Sequence, residues 1–434
     1  MKTYAHCAPL LSGLALLLAS TATPAFDLNQ AWLAARDYNS DYAASRADLG
    51  AGREQAVQGR AQLLPQVALT GSYSHTNPTQ PAGQSTYDSS GYGVQLSQPL
   101  FDTSKYSAYQ KGKIASQQAE TAFSAAEQQL IVDIARAYFD VLLAEDTLAA
   151  TRASKKAFHT QLEQAKTAFE LGTATIIDTH EAQAGFDAAN AKEIVALNQQ
   201  EISQNNLRRL TGLDASAIQP LQEQLPPPPA GTLQGWLETA THNSLALRAA
   251  EQALQFASQT VTEKRGNQLP VVALNAGYND NRSNQAGMIP VTRGSSIGVS
   301  VSLPLFAGGG INSQIREALA REESARDKLE SARRQLREDV RKSWLGVTNG
   351  AALVRAQQQL LVSAKSKVDS TKLGKEVGIR TNLDVLQAEQ AYYDALTSLA
   401  TAKYDYLTAR LQLGQVAGTL DQQQLQEVNA AVRH

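Results

Sequence analysis

The chain has 434 residues, a mass of 46.6 kDa and a formal charge of −2. Its 39 basic and 41 acidic residues exclude a surface that attracts nucleic acid as a whole. An apolar content of 43% excludes a disordered chain, and a single cysteine excludes a disulfide framework. Three Trp and nine Phe are few for this length. With Ala and Gln abundant, the composition favours long helices over one large aromatic core.

Residues 1–25 read as a secretory signal peptide. Lys2 gives a positive start, Ala8–Ala19 is apolar, and small residues follow at Ser20, Ala22, Thr23 and Ala25. Cleavage is expected after Ala22 or Ala25. A short buried helix is the alternative; twelve residues are too few to span a bilayer. Cys7 precedes the apolar run, so it is not placed for lipidation and leaves with the peptide. No later segment has the roughly 18 consecutive apolar residues of a transmembrane helix.

The rest of the chain is written twice. Leu64-Pro65 recurs as Leu269-Pro270, 205 positions on, and Gln98-Pro99-Leu100-Phe101 as Leu303-Pro304-Leu305-Phe306 at the same offset. Asp133, Tyr138, Gly172 and Asp178 are matched by Asp339, Trp344, Gly378 and Asp384 at 206, and Trp32 by Trp236 at 204. These anchors keep one order, which predicts two structural repeats, 26–221 and 232–420. A proline-rich linker, 222–231, joins them, and a polar, loose tail, 421–434, follows.

Each repeat has one plan. Residues 27–62 read as a helix through Leu28, Trp32, Leu33 and Ala35, ended by Pro65. The period then becomes two: Val67, Leu69, Gly71 and Tyr73 alternate with small polar residues, as do Tyr92, Val94 and Leu96 after a loop over 76–90. The second repeat gives Val272, Leu274, Ala276 and Tyr278, then Ile297, Val299, Val301, Leu303 and Leu305. These predict strand hairpins over 65–101 and 270–306, with strands of about 9–11 residues. Asp88 is the only charged residue between Pro65 and Phe101, and Tyr73, Tyr92, Tyr278, Phe101 and Phe306 sit toward strand ends. A membrane β-barrel wall fits this pattern; a soluble hairpin with one packed face shares the alternation. Four strands cannot close a barrel in lipid, so the membrane reading demands several chains.

Very long helices follow. Ser104–Leu171 contains no proline and one glycine, Gly112, and a second stretch runs from Ile311 to Val377. At 1.5 Å per residue each reaches about 100 Å. Apolar periodicity through Ile131, Ile134, Ala135, Tyr138, Leu142 and Leu143 implies coiled-coil-like packing. Gly172 and Gly378 end these helices, and Asp178–Leu210 and Asp384–Leu413 return, giving helical hairpins over 104–210 and 311–413.

With those motifs and the tip sequences LGTATIIDTHEAQ (171–183) and VGIRTNLDVLQAEQ (377–390), residues 26–420 resemble the TolC family of outer-membrane efflux and type I secretion channels. The resemblance implies a mixed α+β, mostly α fold. Three protomers of four strands each would build a twelve-stranded outer-membrane barrel, continuous with a long periplasmic α-helical barrel. It implies a homotrimer in outer-membrane lipid that receives substrates from an inner-membrane transporter through a periplasmic adaptor. The passive duct would be closed at its periplasmic tip and opened by untwisting of the helical hairpins.

The resemblance also assigns candidate gate residues. Asp178 matches the acidic partner on the first hairpin and Arg380 the basic partner on the second, so an Asp178–Arg380 pair is expected. Helix N-terminal acid beside a solvated Arg is the structural alternative. Asp384 matches one ring of carboxylates at the tip. The family's second acidic position is Gln387 here, and its gate tyrosine is Lys375, able to meet Asp178 or another carboxylate. The closing network is therefore rewired. Gly172 and Gly378, besides ending helices, match the adaptor-contact tips, 171–174 and 377–380.

No HExxH, GxSxG, Walker A or dinucleotide-binding loop occurs, and Gly308–Gly310 lacks phosphate-loop spacing. The six His are scattered. The expectation is a channel without enzyme activity, cofactor, metal or nucleic-acid partner. A periplasmic coiled-coil adaptor or scaffold is the competing reading; a hydrolase on a helical frame has almost no support.

Overall fold

The computed structural model describes residues 25–78, 86–221, 225–285 and 290–430. The expected leader, except Ala25, lies outside the described residues, as do 222–224 of the linker and part of each strand loop.

The first half runs α1 (Leu28–Tyr38), α2 (Ser40–Ala61), β1 (Gln66–Thr76), β2 (Tyr87–Phe101), α3 (Thr103–Glu170) and α4 (Ile176–Thr211). The second runs α5 (Leu233–Asn243), α6 (Leu245–Gly266), β3 (Val271–Ser283), β4 (Val291–Ser302), α7 (Gly310–Glu376) and α8 (Asn382–Ala417), followed by α9 (Gln422–Asn429). Helix lengths repeat between the halves: α1 and α5 have 11 residues, α2 and α6 have 22, and α4 and α8 have 36. The longest pair, α3 and α7, has 68 and 67.

Three expectations need correction. The single helix over 27–62 is two, because Asn39 turns extended and its side chain accepts a hydrogen bond from Tyr42 N, starting α2 afresh. Ser244 does the same for α6 through Leu247 N. The tail is not loose over its described part: α9 buries Leu425 and Val428 in the main core, and Asn429 Nδ2 donates to Asp27 Oδ2 at 3.0 Å. Leu425 and Val428 are one helical turn apart, and that short apolar pair was hidden among polar neighbours. The strands are also longer, 11 to 15 residues, and β4 begins at Val291 rather than Ile297. Their polar ends continue the ladder after apolar alternation has stopped.

All strands are antiparallel in the order β1-β2-β3-β4. Pro99 is accommodated in β2 by a register shift between Pro99 and Phe101. Directly paired residues share a face. One face carries the rows Val67–Leu96–Ala276–Ile297 and Leu69–Val94–Tyr278–Ser295. The other carries Thr70–Gly93–Asn279–Gly294 and Ala68–Gln95–Gly277–Ser296. The apolar face is uncovered: Leu69 and Ile297 are 77% and 78% exposed. A soluble hairpin would have packed it. No helix among the described residues is long and apolar enough to cross a membrane. The exposed apolar alternation of this sheet face is the pattern of a lipid-facing barrel wall.

The helices form two hairpins, α3–α4 and α7–α8, joined by α3 against α8, while α2 and α6 pack along the long helices. Buried Ala182, Ala189 and Ala196 on α4 recur every seven residues, as do Ala388, Ala395 and Ala402 on α8. On α7, buried Val340, Val347 and Val354 keep the same step. A seven-residue repeat produces a left-handed supercoil, and alanine lets the partner approach closely. The largest core lies partway along the helices, where Leu28, Trp32, Ile134, Tyr138, Phe139, Leu407 and Leu411 pack with α9. Tyr138 OH donates to Phe26 O at 3.1 Å or Gln219 O at 2.8 Å, tying α3 to a small bridge between Phe26 and Ile218. The linker is held rather than free: Tyr406 OH donates to Pro226 O and Arg410 Nη1 to Pro227 O, at 2.8 and 2.7 Å.

At Gly112, the lone glycine in α3, α2 crosses closely: a Cβ there would strike the carbonyl of Gln55. Gly112→Leu is expected to cost about 1–3 kcal/mol by overpacking. Its thermal unfolding midpoint should fall, whereas Gly50→Ala, in open space on α2, should not lower it. Equal midpoints for parent and Gly112→Leu would contradict the packing described.

Candidate functional site

The two helical tips have the same construction. At the first, α3 ends, Gly172 takes a φ of 73°, and the carbonyl of Ala168 accepts from Thr173 N and Ala174 N at 2.8 and 3.2 Å. At the second, Gly378 has a φ of 77° and the carbonyl of Gly374 accepts from Ile379 N and Arg380 N at 2.9 and 3.1 Å. Positive φ satisfies the last carbonyls in so short a reversal, and glycine adopts it without a Cβ penalty. An added Cβ at either glycine would meet open space, so backbone conformation alone sets the residue within one protomer.

A capping box starts each return helix. Thr175 Oγ1 accepts from Asp178 N, and Asp178 Oδ2 accepts from Thr175 N and Oγ1 at 2.9 and 2.7 Å. Thr381 and Asp384 repeat this with 2.9 Å for both bonds to Oδ2. The Thr backbone N–H, then its hydroxyl, holds each carboxyl below the usual aspartate range. Both acids are therefore ionised at neutral pH, with one oxygen committed to the cap. The Thr-x-x-Asp spacing was a sequence signal for this that the helix-dipole reading passed over.

Asp178 and Arg380 do not pair within the protomer. Arg380 Nη1 lies 3.9 Å from Asp384 Oδ1, one turn along its own hairpin. Lys375 instead joins three helices: its Nζ donates to Gln161 Oε1 of α3 at 3.1 Å and to Asn382 Oδ1 of α8 at 2.8 Å. Half-burial lowers the Lys375 amine from its ordinary range, while the charges of Glu389 and Asp178 pull it back up. Its link to Asp178 is thus long-range attraction rather than a bond. Gln387 is exposed one turn beyond Asp384.

One turn earlier on α7, Lys372 Nζ meets Glu389 Oε1 at 2.7 Å. The Glu389 carboxylate is 4% exposed, and its Oε2 has no hydrogen-bond partner among the described residues. Gln161, Lys372, Asn382 and Glu389 were not foreseen. Their meeting depends on the register of α7 against α8 and on the approach of α3, neither of which is local in sequence. The tips also expose apolar side chains: Leu171 and Ile177 on the first, Val377 and Ile379 on the second, the last at 77%.

The outer membrane efflux protein family profile matches residues 34–213 and 236–419, once in each half. The outer membrane protein TolC of Vibrio cholerae is 34% identical over 433 residues, covering 98% of each chain. The alkaline protease secretion protein AprF of Pseudomonas aeruginosa is 33% identical, covering 97% of this chain and 90% of its own. Among solved structures, the CmeC outer membrane channel of Campylobacter jejuni superposes with a TM-score of 0.80 at 17% identity, over 94% of this chain and 89% of that one. VceC of Vibrio cholerae gives 0.79 at 19%, over 90% and 96%. These solved structures establish the fold, and the near-full-length sequence matches establish descent: this chain belongs to the outer membrane efflux protein family, the TolC-like channels of the outer membrane.

Proposed function

We propose that three copies of this chain form a closed tube that serves as the outer-membrane exit duct of an efflux or type I secretion assembly. A periplasmic adaptor and an inner-membrane transporter would deliver the substrate, and the duct would conduct it passively, without catalysis. The observation that carries this is the continuity of an open, lipid-suited sheet with two helical hairpins, whose longer helices have 68 and 67 residues, both sheet and hairpins being unpartnered at their outer edges. β1 and β4 are sheet edges, and exposed Ile194, Val195 and Ile202 on α4 and Leu345, Leu353 and Val362 on α7 have no apolar cover in one protomer. Joining β4 to β1 and α7 to α4 of the next copy would satisfy both. A coiled-coil adaptor has no use for a sheet with an uncovered apolar face.

The gate follows from the tips. Asp178 keeps Oδ1 free of hydrogen bonds among the described residues, and Arg380 is exposed. Their expected pair then forms between neighbouring protomers, across the seam between α4 and α7. Lys375 is the intraprotomer half of the lock, fixing α3, α7 and α8 together. Opening breaks both sets and lets the hairpins untwist. Asp384, repeated by the threefold axis, places three carboxylates at the constriction, while the neutral Gln387 weakens the second ring. Gly172 and Gly378, with Leu171, Ile177, Val377 and Ile379, form the apolar tips against which the adaptor docks.

Charged hydrogen bonds contribute about 1.5–3 kcal/mol each. Losing those of Lys375 therefore shifts the closed–open balance about tenfold or more. In planar bilayers, Lys375→Ala, Arg380→Ala and Asp178→Ala should each raise single-channel conductance. Conductance equal to the parent in all three would remove them from the gate, and absence of any conductance in the parent would remove the duct.

The ring has its own test. Block of the parent channel by a trivalent cation added on the helical side should weaken in Asp384→Ala and strengthen in Gln387→Asp. Unchanged block in Asp384→Ala would place the constriction elsewhere.

A further inference from the structure

We infer that a basic cluster on the lipid-side face of the sheet binds the phosphate of an outer-leaflet glycolipid headgroup. The cluster is built on one cross-strand row, Gly71–Tyr92–Asp280–Arg293. Arg282, two residues along β3, shares that face. These residues continue the apolar face of Leu69, Val94 and Ile297, so they turn toward the lipid side of the wall.

Asp280 is the hub. It is 1% exposed, and its carboxylate takes Arg293 Nε at 2.7 Å on Oδ2 and Arg282 Nε at 3.3 Å on Oδ1. Tyr92 OH donates to Oδ2 at 3.0 Å. Each arginine thus commits its Nε inward. The terminal Nη groups of both have no hydrogen-bond partner among the described residues, and the two side chains are 55% and 57% exposed. A buried carboxylate beneath two outward guanidinium forks presents positive charge to the surroundings. Such planar forks match phosphate oxygens in pairs. The other carboxylate on this face, Asp88, is occupied by Tyr73 OH at 3.0 Å and His75 Nδ1 at 2.8 Å. It lies on β2, two residues from Ser90, the register partner of Arg282, and among the described residues both arginines pair with Asp280 rather than with Asp88.

The height fits a headgroup layer. Asp280 lies nine residues beyond Val271, where β3 emerges from the helical end. At about 3.3 Å per residue and a tilt near 40°, that is about 23 Å above the helical side, close to the ~25 Å of an apolar barrel band. Exposed Tyr73, Tyr92 and Tyr278 lie on the same face at this level, where aromatic girdles mark the interface. A phosphate at the rim of the far leaflet would meet the arginines without leaving its layer, and the neighbouring apolar strip would hold acyl chains. Charge, exposure and depth together select a lipid phosphate over a soluble anion.

The inference rests on the barrel reading of the sheet, so assembly is checked in the same sample. The detergent-purified full-length assembly is mixed with bis-phosphorylated lipid A, with its dephosphorylated form, or with inorganic phosphate, and bound lipid per assembled particle is read by native mass spectrometry. Lipid A should be retained by the parent, the dephosphorylated form at least about tenfold less, as expected for loss of charge-assisted bonds. Free phosphate should not displace it. Arg282→Gln/Arg293→Gln should lose the same factor while keeping the parent's oligomeric mass, and Arg282→Lys/Arg293→Lys should fall between. Equal retention of the two lipid forms by the parent would overturn the inference, as would equal lipid A retention by the Gln variant. Ready displacement by inorganic phosphate would overturn it too. A particle of the wrong mass would instead count against the barrel reading.

Discussion

Backbone N–H and C=O groups in hydrocarbon have no water to bond to, and that constraint governs the whole molecule. The sheet of this chain ends in two unpaired strands, β1 and β4. Its exposed apolar face suits lipid, and its Ser, Thr, Asn, Gln and Gly face suits water. Nothing among the described residues of one chain closes it. In the proposed trimer each β4 pairs with the β1 of its neighbour, and the same rotation brings the exposed apolar edge of α7 against that of α4. The duplicated sequence supplies two strands and one long hairpin twice, so both halves contribute matching heights of wall. Alanine at seven-residue intervals keeps the wall thin.

In the proposed gate one side chain serves fold and function together. Asp178 and Asp384 each spend one carboxylate oxygen on a threonine cap, which fixes the start of the return helix and keeps the acid ionised. Oδ1 of Asp178 remains for a partner, whereas Oδ1 of Asp384 lies 3.9 Å from Arg380 Nη1. Lys375 is a half-buried ammonium with three donors to satisfy and a desolvation cost to offset. Gln161 and Asn382 accept from it, and the buried acid nearby is neutralised by Lys372 rather than by Lys375. One lysine therefore joins three helices, α3, α7 and α8.

Much of this was legible in sequence. The offset of 205–206 residues located the repeats, strand alternation located the sheet, and the glycines at 172 and 378 located the tips. The heptad alanines belonged to a composition that already favoured thin helical seams. What escaped reading was non-local or too short. The break at Asn39 depends on one side chain capping across three residues. The docking of α9 depends on Leu425 and Val428 finding a core formed mainly by residues near 30, 138 and 410. The Lys372–Glu389 pair depends on hairpin register. The Asp280 hub lay beyond the apolar alternation, where charge reads as loop until the strand partners are known.

In the proposed trimer, one chain is an incomplete wall that closes only with two others. The mass of the purified assembly in mild detergent, determined by sedimentation with the detergent contribution matched out, tests it most directly. A single species with the mass of three chains is expected. A stable monomer, or a particle of any other copy number, would contradict it.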